Sequence, residues 1–139
     1  MKEGFMNRTV QDRMEQASAL RKSGSCNCAQ AILETLKDQT DLDKETLHQL
    51  GAGFGGGMGN MEATCGSLIA ANMILGLSTK GEKTLLSSRK LIEGFKELSG
   101  ATKCRDLKQM TDGKPLCSCD QCVRNAISLY CEIAGIRDI

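Results

Sequence analysis

The sequence holds little of what nucleic-acid and carbohydrate-binding proteins use to bind their ligands. It has no tryptophan, and aromatic residues make up only 3% of the chain. Surfaces that stack bases or sugar rings are built from aromatic side chains, so we expect neither kind of ligand. The formal net charge is +1, from 18 basic and 17 acidic residues. This balance argues against a basic face that would bind nucleic-acid phosphates or an anionic lipid surface.

Long apolar segments are missing as well. The longest apolar run, SLIAANMILGL at 67–77, is too short to cross a bilayer. The stretch MKEGFMNRTVQDRMEQ at 1–16 is charged throughout and has no apolar centre of the kind found in signal peptides. We therefore expect a cytoplasmic protein that does not insert into membranes.

Cysteine, in contrast, is abundant. There are eight: Cys26, Cys28, Cys65, Cys104, Cys117, Cys119, Cys122 and Cys131. A reducing cytoplasm disfavours structural disulfides, so this enrichment indicates metal binding or redox chemistry. Covalent haem is excluded, because Val123 and not histidine follows the C-x-x-C at 119–122. The only histidine, His48, is expected on the surface of a helix.

Apolar residues recur at helical spacing along nearly the whole chain, and no segment alternates with a period of two. The pattern predicts an all-α fold: residues 1–139 form one domain, a bundle of about seven helices with a glycine-rich loop between helices three and four. The first helix is expected at about 8–22, and Gly51 and Gly100 are expected just past the ends of two others. The stretch TDGKPLCSCD at 111–120 is expected to be a loop.

Four cysteines fall in or near the first turn of a predicted helix. Ser25, Thr102 and Ser118 are candidate N-caps, which place cysteines at about the third, second and first helical positions after them. Free N–H groups and the helix dipole favour a thiolate at such positions. Because four different helices share this feature, we expect their N-terminal ends to converge on one sulfur-rich site. The four residues are Cys28, Cys65, Cys104 and Cys119.

The stretch GAGFGGGMGN at 51–60 precedes Cys65. It contains G-x-G-x-x-G, but the residues before it are helical, so a dinucleotide-binding fold is rejected. A glycine-rich turn that leads into a helix can point N–H groups at a phosphate, a cofactor or a thiolate. The alternative is a plain tight turn. The residues expected to bind a cofactor through their backbone are Gly55, Gly56, Gly57 and Gly66.

The sequence resembles the family of redox-active proteins that is named for its C_GCAxxG_C_C motif. The matching pieces are NCAQAIL at 27–33, FGGGMGNMEATCGSLIAANMILGL at 54–77, KCRDL at 103–107 and CDQCVRNAISL at 119–129. The resemblance implies an all-helical redox protein, an iron–sulfur centre as in related cytochrome domains, and four characteristic cysteines at 28, 65, 104 and 119. Ser67 and Ala70 depart from the alanine and glycine of the motif, but both remain small.

Several functions stay open at this point. The four cysteines could bind an iron–sulfur cluster, or they could cycle between thiols and disulfides in electron transfer. A structural zinc site in a helical scaffold or interaction module is the alternative, with Cys104, Cys117, Cys119 and Cys122 as its ligands. Simple packing is a further interpretation, and it is favoured for Cys131. We expect an unidentified redox partner, and a homodimer stays open.

Overall fold

The computed structural model describes residues 8–136 and is mostly helical, which confirms the all-α prediction at the level of fold class. Residues 1–7, which begin the charged N-terminal stretch, lie outside the described part. The α-helices are α1 (Val10–Lys22), α2 (Cys28–Thr35), α3 (Lys44–Gly51), α4 (Gly66–Thr79), α5 (Thr84–Ser99), α6 (Cys104–Leu107) and α7 (Cys119–Ala134). A 3-10 turn at Lys37–Gln39 and a π-helical turn at Gly57–Met61 lie between them.

A short antiparallel pair of strands was not expected from the sequence. Strand β1 (Met110–Thr111) pairs with β2 (Lys114–Pro115) inside the stretch predicted to be a loop. The two residues between them, Asp112 and Gly113, both have positive φ angles, of 54° and 78°. An Asp-Gly turn of this kind matches the twist of a two-stranded hairpin, so local turn chemistry explains the strands that the periodicity did not indicate.

Helix α7 is the centre of the packing, since it contacts α1, α2, α4 and α5. Its apolar stripe, which includes Val123, Ile127, Tyr130 and Cys131, is buried as the helical spacing predicted. Cys131 lies fully inside this core, in agreement with its interpretation as a packing residue. Within residues 8–136, none of the helices has both the length and the apolar character needed to cross a bilayer.

The predicted helix boundaries at Ser118 and Gly100 are confirmed, and the one at Gly51 is wrong. Ser118 caps α7, because its side chain accepts a hydrogen bond from the N–H of Gln121. Gly100 follows α5 with a φ of 93°. Gly51, however, is the last residue of α3 and does not lie beyond it. A Cβ at this position would lie 3.0 Å from Leu33 Cδ1, so the glycine serves close packing of α3 on α2.

Helix α2 begins later than Ser25 predicted. Asn27 is its N-cap: the Asn27 side chain accepts from the N–H of Gln30, whose side chain accepts from the N–H of Asn27. The Asn27 side chain also donates to the carbonyl of Gly51, at 3.2 Å. This contact with α3 is tertiary and so is invisible in the local sequence. As a result Cys28 is the first residue of α2 and not the third.

Candidate functional site: a buried cavity lined by thiols

The N-terminal ends of α2, α4, α6 and α7 open onto one cavity of about 270 Å³, which we call the thiol cavity. The four cysteines that the sequence predicted to converge all line it, and Cys122 lines it as well. These five residues are Cys28, Cys65, Cys104, Cys119 and Cys122. All are buried except Cys119, which is half-buried. The structure therefore brings together thiols that are spread over most of the chain.

Each predicted cysteine stands at the very start of its helix. Cys28, Cys104 and Cys119 are the first residues of α2, α6 and α7, and Cys65 is the N-cap of α4. At the first helical turn a side chain lies beside N–H groups that have no partner inside the helix. The cavity is thus surrounded by the positive ends of helices, and the thiols lie where those ends meet.

A short stretch of backbone pairing places Cys65 beside Cys104. The N–H of Cys65 donates to the carbonyl of Thr102 at 2.8 Å, and the N–H of Cys104 donates to the carbonyl of Ala63 at 3.0 Å. Thr102, predicted as the N-cap of α6, therefore contributes its carbonyl to this bridge, and Lys103 takes the N-cap position. The prediction was wrong because the pairing of two distant segments sets this boundary, which no local capping preference could show.

Two glycines are needed because the backbone approaches the thiols closely. A Cβ on Gly66 would lie 2.5 Å from the carbonyl oxygen of Phe54 and 2.8 Å from Cys28 Sγ. A Cβ on Gly57, which has a φ of 62°, would lie 2.7 Å from the Cβ of Cys104. Any larger residue at these positions would push apart the segments that carry the cysteines.

The other two predicted glycines lie at the cavity wall. Gly55 and Gly56 line it together with Gly66, whereas Gly57 contacts it through Cys104. The N–H of Gly56 donates to the sulfur of Cys28, which acts to lower the pKa of that thiol. In this way one amide of the glycine-rich segment points at a cysteine sulfur.

The amides do not, however, keep the buried thiols ionised. The neighbouring Cys65 and then burial raise the pKa of Cys28 well above its usual range, despite the Gly56 amide. Cys122 raises the pKa of Cys65, and burial raises that of Cys104. The expected thiolates at Cys28, Cys65 and Cys104 are therefore neutral thiols when no bound group balances their charge. The helix ends alone cannot offset burial combined with mutual repulsion of several sulfurs.

Two cationic side chains also line the cavity. Lys108 donates to the carbonyl of Cys117 at 3.0 Å, and its Nζ lies 3.7 Å from Cys122 Sγ. Burial acts to lower the pKa of Lys108, but the surrounding cysteines outweigh it and the net shift is upward. Arg21 also lines the cavity, and its buried Nε has no hydrogen-bond partner within residues 8–136. The cavity thus offers positive charge that its own thiols do not satisfy.

A sixth cysteine, Cys117, contacts one of the five cavity cysteines but does not itself line the cavity. The sulfurs of Cys117 and Cys122 lie 3.4 Å apart. Of the alternative zinc ligands, Cys104, Cys119 and Cys122 line the cavity, and Cys117 contacts Cys122. Among the described residues, no three of these sulfurs lie within 4.8 Å of one another. The zinc and cluster alternatives accordingly draw on overlapping sets of sulfurs.

Sequence reasoning missed Lys108, Arg21 and the central position of Cys122. Lys108 follows Cys104 by four residues, a spacing that places two side chains on one face of a helix, and this signal could have been used. Arg21 lies near the end of α1 and reaches the cavity only through packing of α1 on α2 and α7. No local pattern distinguishes it from Lys22, the exposed cation that follows it in that helix.

The model of the family described as "Putative redox-active protein (C_GCAxxG_C_C)" matches residues 26–133, more than half of the chain. The chain belongs to this family. The match includes all five cysteines of the thiol cavity. No curated protein and no solved structure shows a significant match to the chain. For this member of the C_GCAxxG_C_C family, the redox assignment comes from the family match. The geometry of the thiol cavity comes from the structure of this chain.

Proposed function

We propose that the thiol cavity binds an iron–sulfur cluster and that the protein transfers electrons. The observation that supports this most is the set of side chains around one cavity: five thiols and two cations. Soft thiolates are the ligands that iron–sulfur clusters and zinc prefer in proteins. We expect Cys28, Cys65, Cys104 and Cys119 to hold the cluster, with Cys122 as a neighbour or substitute ligand.

The size of the cavity favours a group of several atoms over a single ion. Four sulfurs around one tetrahedral zinc lie about 3.8 Å from one another, given Zn–S bonds of about 2.3 Å. Such a site leaves no empty space inside it. The thiol cavity, at about 270 Å³, is much larger than the ~15 Å³ that one water-sized probe needs. A polynuclear group would fill it better.

The charges around the cavity fit an anionic occupant. A cluster held by thiolates is negatively charged overall, and its ligands must lose their protons when they bind. The cavity thiols whose pKa values are raised are neutral without such a group, whereas Lys108 and the unpaired Nε of Arg21 supply positive charge. These two side chains would stabilise the thiolates and the bound group together.

A bound cluster would supply one-electron chemistry, whose potential depends on net charge, hydrogen bonds and exposure. The chain itself supplies the path to the surface. Cys119 is the most exposed of the five cavity cysteines, so this edge is where we expect a redox partner to exchange electrons. The other four cavity cysteines are buried.

Purification without oxygen tests the proposal. The protein should be brown, and it should contain iron and acid-labile sulfide in amounts that scale with protein. Cys65→Ser should lose most of the iron and colour, whereas Cys131→Ala, which removes a core sulfur away from the cavity, should keep both. A colourless wild-type preparation without iron or sulfide would refute the cluster, and stoichiometric zinc that Cys104→Ser loses would support the structural alternative.

A second candidate function is thiol–disulfide exchange, favoured by the 3.4 Å contact between Cys117 Sγ and Cys122 Sγ. A small rotation could bring these sulfurs to the ~2.05 Å of a disulfide bond. The two thiols would give up two protons and two electrons to a disulfide oxidant such as oxidised glutathione. Equilibration with that oxidant should then remove two free thiols in the wild type and none in Cys122→Ser. An unchanged thiol count in the wild type would dismiss this candidate.

A further inference from the structure

We propose that the protein has a second metal site, separate from the thiol cavity, in which Cys26, Glu34 and His48 bind Zn²⁺. The three side chains offer one sulfur, one carboxylate oxygen and one imidazole nitrogen, all within 4.8 Å of one another. They lie outside the four sequence pieces matched to the family motif above, and the sequence alone did not link them. The site is formed by the segment before α2, the last part of α2 and the end of α3.

Local structure brings Cys26 to Glu34. Cys26 precedes the N-cap Asn27, and its buried sulfur lies 3.9 Å from Glu34 Oε1. A sulfur and an oxygen bound to the same tetrahedral zinc lie about 3.6 Å apart, given bond lengths of about 2.3 and 2.1 Å. The observed separation therefore needs only a small adjustment of two side chains to accept the ion.

Packing of α3 against α2 brings in the third ligand. The side chain of Gln30 donates to the carbonyl of His48 at 2.9 Å, and Asn27 donates to the carbonyl of Gly51. These two bonds hold the C-terminal half of α3 in register with the start of α2. The imidazole of exposed His48 is thus held beside a buried sulfur, which is an unusual environment for a surface histidine.

The triad is distinct from the thiol cavity. Cys28 lines the cavity, whereas Cys26, two residues earlier, points to Glu34. The nearest competing charge is Lys44, whose Nζ lies 3.9 Å from Glu34 Oε2. Its side chain is 68% exposed, so it can leave the carboxylate to a metal ion at little cost. The geometry is therefore compatible with occupation of both sites in the same molecule.

The donor set selects the ion. Magnesium and calcium prefer oxygen ligands alone, whereas zinc binds sulfur, nitrogen and oxygen together. Three protein ligands leave the fourth tetrahedral position open to water or to a donor from another molecule. Because His48 is exposed, solvent can reach the site. The site thus has the coordination of an accessible zinc centre and not that of a closed structural one.

The single histidine of the chain makes the test direct. In the NMR spectrum of the tag-free reduced protein, His48 gives the one set of imidazole resonances. No other zinc-binding side chain contributes to these resonances. Addition of Zn²⁺ should shift these resonances to a saturating end point. Cys26→Ser and Glu34→Gln should each raise the zinc concentration that gives half of the shift at least tenfold.

Two control variants separate the triad from unspecific binding. Glu45→Gln and Gln49→Ala change exposed residues of α3 outside the triad and should respond to zinc as the wild type does. Imidazole resonances that stay in place in excess zinc would overturn the proposal. So would a response in Cys26→Ser equal to that of the wild type, because it would show that the imidazole binds zinc alone. Iron and sulfide content reports the thiol cavity independently.

Discussion

At the scale of single residues, environment decides what each cysteine does. Cys131 is enclosed by the core, whereas Cys28 and Cys65 are buried against other sulfurs, which raise their pKa values. Thiols of this kind are poor nucleophiles until a cation replaces their protons. Cysteine therefore serves as a packing residue at 131 and as a candidate ligand at 28 and 65. The side chains around each cysteine make this difference.

Lys108 is the neighbour whose effect can be measured. Its ammonium lies 3.7 Å from Cys122 Sγ and should stabilise the added negative charge of a reduced cluster. Lys108→Met should lower the reduction potential by roughly 50–100 mV, which corresponds to about 1–2 kcal/mol of lost charge interaction. Protein-film voltammetry or an equilibrium redox titration measures the shift.

Two further variants keep this prediction specific. Lys108→Arg retains the charge and should keep the potential near that of the wild type. Lys103→Met removes an exposed charge next to Cys104 that does not line the cavity, and it should change the potential little because solvent screens it. Equal potentials for Lys108→Met and the wild type would show that the ammonium does not act on the bound group.

At the scale of elements, the starts of helices form the site. The N-cap Asn27 fixes where α2 begins, and the bridge between 63–65 and 102–104 fixes α4 against α6. These contacts bring the helix ends close enough that only glycine fits between some of them. Close approach explains part of the glycine-rich segment: a Cβ on Gly57 would meet Cys104, and one on Gly55 would meet Asn27. A Cβ on Gly53, Gly56 or Gly59 would meet no atom within 4 Å.

Two glycines of the same helix should respond to alanine in opposite ways. Gly66→Ala places a methyl group 2.8 Å from Cys28 Sγ at the cavity and should cost about 1–3 kcal/mol of stability. Gly76→Ala, at a position with no foreign atom within 4 Å of the new Cβ, should gain about 0.5–1 kcal/mol. Urea unfolding of both variants measures the difference. If Gly66→Ala were as stable as Gly76→Ala, the close packing at the cavity would be refuted.

At the scale of the whole molecule, the cavity connects distant parts of the chain. Its cysteines come from α2, α6, α7 and the start of α4, and α7 also contacts most of the other helices. A group bound by four of these thiols would therefore cross-link the fold much as a structural metal does. Its free energy of binding would add to the free energy of unfolding.

Removal of the bound group should consequently destabilise the entire protein. Anaerobic protein stripped with a chelator should lose at least about 3 kcal/mol of unfolding free energy relative to loaded protein, in a single cooperative transition. Urea unfolding followed by circular dichroism gives this difference. Cys65→Ser, which should not hold the group, serves as control and should not change on chelation. Equal stability of loaded and stripped wild type would contradict a cross-linking role.

Much of the fold was accessible from the sequence because helical periodicity and caps are local. Ser118 and Gly100 mark the boundaries they were predicted to mark, and the stripe of α7 is buried as expected. The boundaries at Ser25 and Thr102 were wrong, since contacts with α3 and with residues 63–65 set them. Prediction failed where a partner distant in sequence decided the hydrogen bonding.

The sequence by itself determined the helical class, the family and the four cysteines at helix starts, because spacing and residue type are local properties. Only the tertiary structure decided which groups share a space: it added Cys122, Lys108 and Arg21 to the cavity and placed Cys26 beside Glu34 and His48. It also raised the pKa values of Cys28, Cys65 and Cys104, where helix starts alone predicted a lowering, because burial and mutual repulsion depend on neighbours from other helices.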